Sequence, residues 1–179
     1  MNPDFRVGIA GCGGIGSNVA WMLARAGIQN FVLVDFDRIE PGNLNRQFFF
    51  ARQLGQPKAA ALAENLLAIN PKLRVQAHQL RLAAENVADI FCDCDMVVEG
   101  FDGSEAKKML LESLPPHLPV ASACGIAGAD LASVRTRRLG RCRIVGDFAT
   151  DCADAKLYSH KVACVAAHMA QYVIEEAEK

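Results

Sequence analysis

The sequence predicts an α/β protein built on one mixed β-sheet, parallel through the N-terminal two-thirds and antiparallel near the C-terminus, with helices on both faces. Three observations lead there. From Arg6 to Ala123, short apolar runs alternate with helix-length amphipathic segments, the pattern of successive βα units. The first run passes straight into a glycine-rich turn and then a helical segment. After Ala123 the rhythm breaks into two strand-like runs joined near Leu139-Gly140, which reads as a hairpin.

Taken in order, Arg6–Ala10 (RVGIA) is a short buried strand bounded by Gly11. Ser17 to Ala26 is apolar at Val19, Ala20, Leu23 and Ala24 and reads as a helix that Gly27 ends. Phe31–Val34 is the second strand. The polar stretch from Asp35 to Lys58 follows, without the period of a long helix. Lys58–Ile69 (KAAALAENLLAI) is strongly helical, with Leu62, Leu66 and Ile69 on one face, and Pro71 stops it. Leu73–Ala77 is a third strand and Ala84–Phe91 a short helix. Met96–Glu99 is a fourth strand, and Ser104 can cap the helix Glu105–Leu114 that follows. Pro119–Ala123 is the fifth strand. Leu131–Arg138 and Arg141–Val145 form the hairpin, Asp147 to Tyr158 is irregular, and His160–Glu176 is a final helix.

The chain has 179 residues, 51% of them hydrophobic and 22% charged, which suits one soluble domain spanning 1–179. A net charge of −1 gives no reason to expect a nucleic-acid or membrane partner. No apolar run approaches the roughly 20 residues of a membrane span, and the N-terminus lacks signal-peptide organisation, so a cytoplasmic protein is expected. The 7 cysteines are odd in number and contain no C-x-x-C pair, which argues against a disulfide framework and a two-pair zinc site.

Gly11-Cys12-Gly13-Gly14-Ile15-Gly16 sits between strand and helix, so the first βαβ unit is Rossmann-like. Glycines there permit a tight turn, close approach of backbone to phosphate, and close helix–strand packing, while the helix N-terminus offers free N–H groups to an anion. Asp35, at the end of the next strand, is placed to accept hydrogen bonds from ribose hydroxyls. In such a sheet, ligands lie beyond the C-terminal strand ends. That edge collects the glycine loop, Asp35 and Asp102, with Arg46 and Lys58 flanking it. Cations, a carboxylate able to hold Mg²⁺ and a phosphate cradle are the set that nucleotidyl transfer needs.

These residues carry a resemblance. GCGGIG, then DFD, GNLNRQ, GQPKA and the acid in EGFDGSEAK resemble the ThiF/MoeB family of adenylating enzymes, relatives of ubiquitin-activating enzymes, and in particular its short ThiF-like branch. The resemblance runs from about Arg6 to Ala123 and, more faintly, through the last helix. It implies a sulfur-carrier-protein adenylyltransferase. ATP would adenylate the C-terminal glycine carboxylate of a small β-grasp, ThiS-like carrier in thiamine biosynthesis, releasing pyrophosphate, and the enzyme would be a homodimer. Carried over, Gly11, Gly13, Gly14 and Gly16 line the nucleotide and Asp35 binds ribose. Asn43, Arg46 and Lys58 contact the phosphates, and Asp37, Asn45 and Gln47 belong to the same nucleotide-binding stretch. Asp102 holds Mg²⁺ through ATP and is the nearest thing to a catalytic acid, alongside Arg46 and Lys58. The family's Asp-Asn pair appears here as Asp102-Gly103, and its two zinc pairs are missing.

Cys152 stands where some ThiF proteins carry a cysteine that links to the activated carrier, and a thiolate there could attack an acyl-adenylate. The surrounding Asp147, Asp151 and Asp154 favour the protonated thiol instead. Arg135, Arg137, Arg138, Arg141 and Arg143 crowd the hairpin, either as a solvated edge that discourages strand pairing or as a docking surface for an acidic carrier. Three other readings fit parts of the pattern: a non-catalytic subunit that binds nucleotide or carrier, an NAD-dependent dehydrogenase, and adenylation of a tRNA carboxylate. The second explains the glycines and Asp35 but not Arg46 with Lys58.

Overall fold

The computed structural model describes residues 2–150 and 153–179. Strand β1 (Arg6–Ala10) leads through the glycine turn into α1 (Gly14–Ala26), and β2 (Asn30–Val34) completes the first βαβ unit. The helix begins three residues before the expected Ser17. Glycines carry no apolar side chain to extend the periodic pattern, yet Ile15 is already buried, and a Cβ on Gly16 would collide with the Gly11 carbonyl. Gly27 closes the helix in the left-handed conformation, its N–H donating to the Leu23 carbonyl. The Asp35–Lys58 stretch contains single 3₁₀ turns at Pro41–Asn43 and Ala51–Gln53 and delivers the chain to α2 (Lys58–Ile69).

Strand β3 (Arg74–His78), helix α3 (Ala84–Ile90), strand β4 (Met96–Glu99), helix α4 (Ser104–Ser113) and strand β5 (Val120–Ala123) continue the alternation. The hairpin is β6 (Arg135–Leu139) and β7 (Cys142–Gly146), and α5 (Ser159–Ala177) follows. Ser104 is not a cap. It is the first residue of α4, Gly103 takes the cap position, and among the described residues no side chain closes that end.

The seven-stranded sheet has the order β3-β2-β1-β4-β5-β7-β6. Every pairing is parallel except β6 with β7. Order reverses between β1 and β4, and a crevice opens there at the strand ends. Alternation along the strands divides the core. Val7, Ile9, Phe31, Leu33 and Val98 face α1, α2 and α5, whereas Val32, Val97 and Val120 face α3 and α4. The two edges, β3 and β6, are largely exposed. Among the described residues, no helix is long and apolar enough to cross a membrane.

Candidate functional site

The site grows from the reversal point. The turn after β1 and the turn after β4 press against each other, with the Gly100 N–H bonded to the Ala10 carbonyl at 2.9 Å. Among the described residues no side chain bonds the cap of α1 at Gly13, so the first turn of this 13-residue helix presents unclaimed N–H groups. In front of it lies a cavity of about 270 Å³. Its polar side carries Gly11, Gly13, Asp35, Asp37, Gln47 and Lys58, and Asp102 stands at its rim.

Asp35 is buried, and its carboxylate accepts the N–H groups of Cys12 at 2.7 Å and Asp37 at 2.8 Å. Burial pushes its pKa up, against the pull of those two N–H groups and Lys58. The Cys12 thiol behind it is raised well above the usual thiol range, first by burial and then by the Asp35 charge. Lys58, buried at the start of α2, pairs with Asp37 at 2.9 Å. Gln47 holds the most telling atom: its Oε1 is buried and accepts no hydrogen bond among the described residues. A buried acceptor left in that state costs about 1–3 kcal/mol unless a ligand donates to it.

Not all of the predicted stretch reaches this cavity. The Asn43 Oδ1 accepts the Glu40 N–H at 3.0 Å and so closes the 3₁₀ turn. Asn45 accepts the Arg46 guanidinium at 2.8 Å, and the same guanidinium donates to the Gly42 carbonyl at 3.0 Å. The stem of Arg46 lies near the glycine loop, 3.8 Å from where a Gly14 Cβ would stand. The segment is fastened by residues that the motif reading passed over. Asn18 donates to the Gly14 carbonyl at 2.7 Å and the Arg46 carbonyl at 2.8 Å, and the Ser17 hydroxyl accepts the Phe48 N–H at 3.0 Å. Cys152 lies outside the described residues.

The apolar side of the cavity was also missed. Val34, Phe36, Leu80, Leu82 and Met109 line it, with Arg81 stacked 3.8 Å over the Phe36 ring. They come from three segments with no shared motif, so sequence alone gives them no signal. A second cavity of about 570 Å³ opens on the other side of Asp102 and shares Phe101, Asp102 and Gly103 with the first. Its wall is mainly apolar, from Ile15, Leu111, Ala123, Ile126 and Ile144, with Lys107, Ser122 and the exposed Cys124 beside them. Next to the Gly100–Gly103 turn that both cavities share sits a buried acid, Glu99, whose oxygens accept Phe101 N–H, Lys107 Nζ and Ser122 Oγ.

The hairpin arginines divide by environment. Arg135, Arg137 and Arg138 are exposed along β6, whereas Arg141 donates to the Leu111, Leu114 and Pro115 carbonyls at the end of α4. Arg143 pairs with Glu175 and stacks on Tyr172. Further along, Lys161, 1% exposed, donates to Asp147 and to the Ala127 carbonyl. Among the described residues, no group of three or more His, Cys, Asp or Glu could hold a metal ion by itself.

Comparison with known proteins agrees with this picture. The ThiF family model matches residues 3–130. The probable adenylyltransferase/sulfurtransferase MoeZ of Mycobacterium tuberculosis is 39% identical over 98 residues, covering 54% of this chain and 25% of that protein. The sulfur carrier protein adenylyltransferase of Thermus thermophilus is 38% identical over 95 residues, 52% of this chain and 35% of its own length. Ubiquitin-like modifier-activating enzyme 5 of Drosophila sechellia is 41% identical over 90 residues, 50% of this chain and 22% of the relative. The matched region is thus only about a quarter to a third of these relatives. In fold, the chain superposes on E. coli tRNA N6-threonylcarbamoyladenosine dehydratase, solved with AMP, at a TM-score of 0.84 and 21% identity, over 99% of this chain and 89% of that one. HcgE of Methanothermobacter marburgensis, solved with guanylylpyridinol and ATP, gives 0.78 at 15% identity, over 97% and 95%.

Proposed function

The chain belongs to the ThiF family, and we propose that it binds ATP and adenylates the C-terminal carboxylate of a small sulfur-carrier or ubiquitin-like protein. The observation that carries this reading is the pair of cavities that meet at Asp102. The first offers a glycine loop, an uncapped helix end, Lys58 and the orphaned Gln47 acceptor, a set that suits a nucleotide. Its apolar side suits the base. The second is apolar and opens at the same acid, which suits the narrow tail of a protein whose carboxylate must reach the α-phosphate.

In the proposed step, a carboxylate oxygen attacks the α-phosphorus and the bond to the bridging oxygen of the β-phosphate breaks. Pyrophosphate leaves with the electron pair, and no proton moves, so no general base is needed. Asp35 would hold the ribose. Lys58 would stabilise phosphate charge, and Arg46 would join it by exchanging its Gly42 and Asn45 contacts for phosphate oxygens. The donor set also fits Mg²⁺ arriving with ATP, because one carboxylate with phosphates and waters is a usual magnesium shell, and Asp102 is free of ion pairs among the described residues. The metal would neutralise charge on the phosphates. We take the carrier to be ThiS-like, in thiamine biosynthesis, and the enzyme to act as a homodimer, both on the motif resemblance.

The test is carrier-dependent ATP–pyrophosphate exchange, with the carrier-adenylate read by mass. Wild type should exchange only with a carrier ending in an intact Gly-Gly. Arg46→Ala should lose at least about tenfold, since a charge-assisted hydrogen bond contributes about 1.5–3 kcal/mol. No exchange with any such carrier, together with no binding of ATP, would remove the reading.

A further inference from the structure

From the geometry around Glu99 we infer that Glu99, Lys107 and Ser122 form a positioning cluster that holds Asp102 between the two cavities, an inference that rests on the nucleotide reading above. Asp102 cannot place itself. Its side chain has no hydrogen bond or ion pair among the described residues, and α4 starts beside it without a side-chain cap. Its position therefore comes from the backbone of the Gly100–Gly103 turn.

That turn is held from two sides. On one side it lies against the glycine loop, so closely that a Cβ on Gly100 would come within 2.8 Å of the Gly11 carbonyl. On the other, Glu99 Oε1 accepts the Phe101 N–H at 2.6 Å, one residue before Asp102. The same carboxylate accepts Lys107 Nζ at 3.0 and 2.8 Å and Ser122 Oγ at 2.6 Å. The cluster thus ties the end of β4, the first turn of α4 and the end of β5 to one acid that is 0% exposed.

Two alternatives are weaker. Lys107 lines the second cavity, but its ammonium spends one N–H on each Glu99 oxygen and its third on the Ala123 carbonyl at 3.0 Å. It has no donor left for a ligand anion. Nor is stability a sufficient reason for the cluster, because a buried ion pair gains little over apolar residues of the same size once desolvation is counted. What an apolar pair cannot supply is an acceptor for the Phe101 N–H.

The experiment separates holding from folding. ATP is titrated calorimetrically into wild type, Glu99→Gln, Lys107→Met, the double variant Glu99→Leu/Lys107→Met, and Asp102→Ala, each with excess Mg²⁺ and with chelator. Melting temperatures are recorded alongside. Wild type should bind ATP more tightly with Mg²⁺. Glu99→Gln and Lys107→Met, which leave one partner of the buried pair alone, should melt lowest, while the double variant should melt closer to wild type and keep its chelator affinity. Its Mg²⁺-dependent gain should shrink about tenfold or more, as in Asp102→Ala, the usual loss when the support of a metal ligand is removed. A double variant that keeps the full gain overturns the inference, as does a wild type that binds ATP equally with and without Mg²⁺. Wild type that binds no ATP under either condition overturns the nucleotide reading itself.

Discussion

Gln47 concentrates the physical argument for a ligand in one atom. Among the described residues its Oε1 is buried without a donor, next to a glycine loop whose helix has no side-chain cap. Proteins rarely leave such an acceptor unmatched, because it forfeits its water without replacement. Gln47→Leu removes the orphan and fills similar space. The free protein should melt at the same temperature or higher, while ATP affinity falls about tenfold, the equivalent of one hydrogen bond of about 1.4 kcal/mol. Thermal melts with parallel ATP titrations check this. A variant that loses stability and keeps its ATP affinity would assign Gln47 to the fold instead. Among the residues named from motifs, Lys58, Asp35, Gln47 and Asp102 line the cavity, while Asn43 and Asn45 serve their own turns. Sequence spacing brings a side chain to the right loop, but which way it points is decided by that loop's local hydrogen bonds.

At the level of elements, five arginines within nine residues look alike in sequence and differ in structure. Arg141 reaches across to three carbonyls at the end of α4, where the helix has no donors of its own to offer. Arg135, Arg137 and Arg138 are exposed on the open edge strand, Arg137 with its guanidinium 4.3 Å over the Phe148 ring. Arg141→Ala should therefore cost about 1–3 kcal/mol in urea unfolding, while the three exposed arginines changed to alanine should each stay within about 0.5 kcal/mol. Equal effects at all four positions would contradict the division. Strands and helices were legible because each declares itself locally: by apolar period, by a terminating glycine, by the strand–glycine–helix sequence of Arg6–Ala26. Contacts between elements were not. Glu99 meets Ser122 only because β4 pairs with β5, and Arg141 meets α4 only because β7 pairs with β5. The apolar half of the first cavity was hidden for the same reason, being assembled from the segments after β2 and β3 and from α4.

Across the whole molecule one sheet serves both core layers, so we expect residues 1–179 to unfold as a single cooperative unit. Among the carboxylates that shape its acid stability, Asp147 and Asp35 act in opposite directions. Burial pushes Asp147 up, but bonds from Lys161, from Thr150 through both backbone and hydroxyl, and from the Ala149 N–H outweigh it and hold it well below the usual carboxylate range. In the unfolded chain Asp147 titrates near pH 3.9 or so. Between that value and its lower folded value the unfolded state binds the extra proton. The stabilisation Asp147 gives is thus complete above about pH 5 and is lost as pH falls through this window. Asp35 acts the other way. Its folded pKa is raised by burial, so the native state takes the proton first and gains stability as pH falls toward the ordinary value. Asp147→Asn alone would leave Lys161 buried beside a neutral partner, so the cleaner variant is Asp147→Asn with Lys161→Met. Its unfolding free energy, measured in urea at successive pH values, should decline less steeply than wild type below about pH 4, by up to about 1.4 kcal/mol per pH unit for the one proton removed. Superimposable acid limbs would mean that the lock between the hairpin's exit and the last helix does not set the acid limit of the fold.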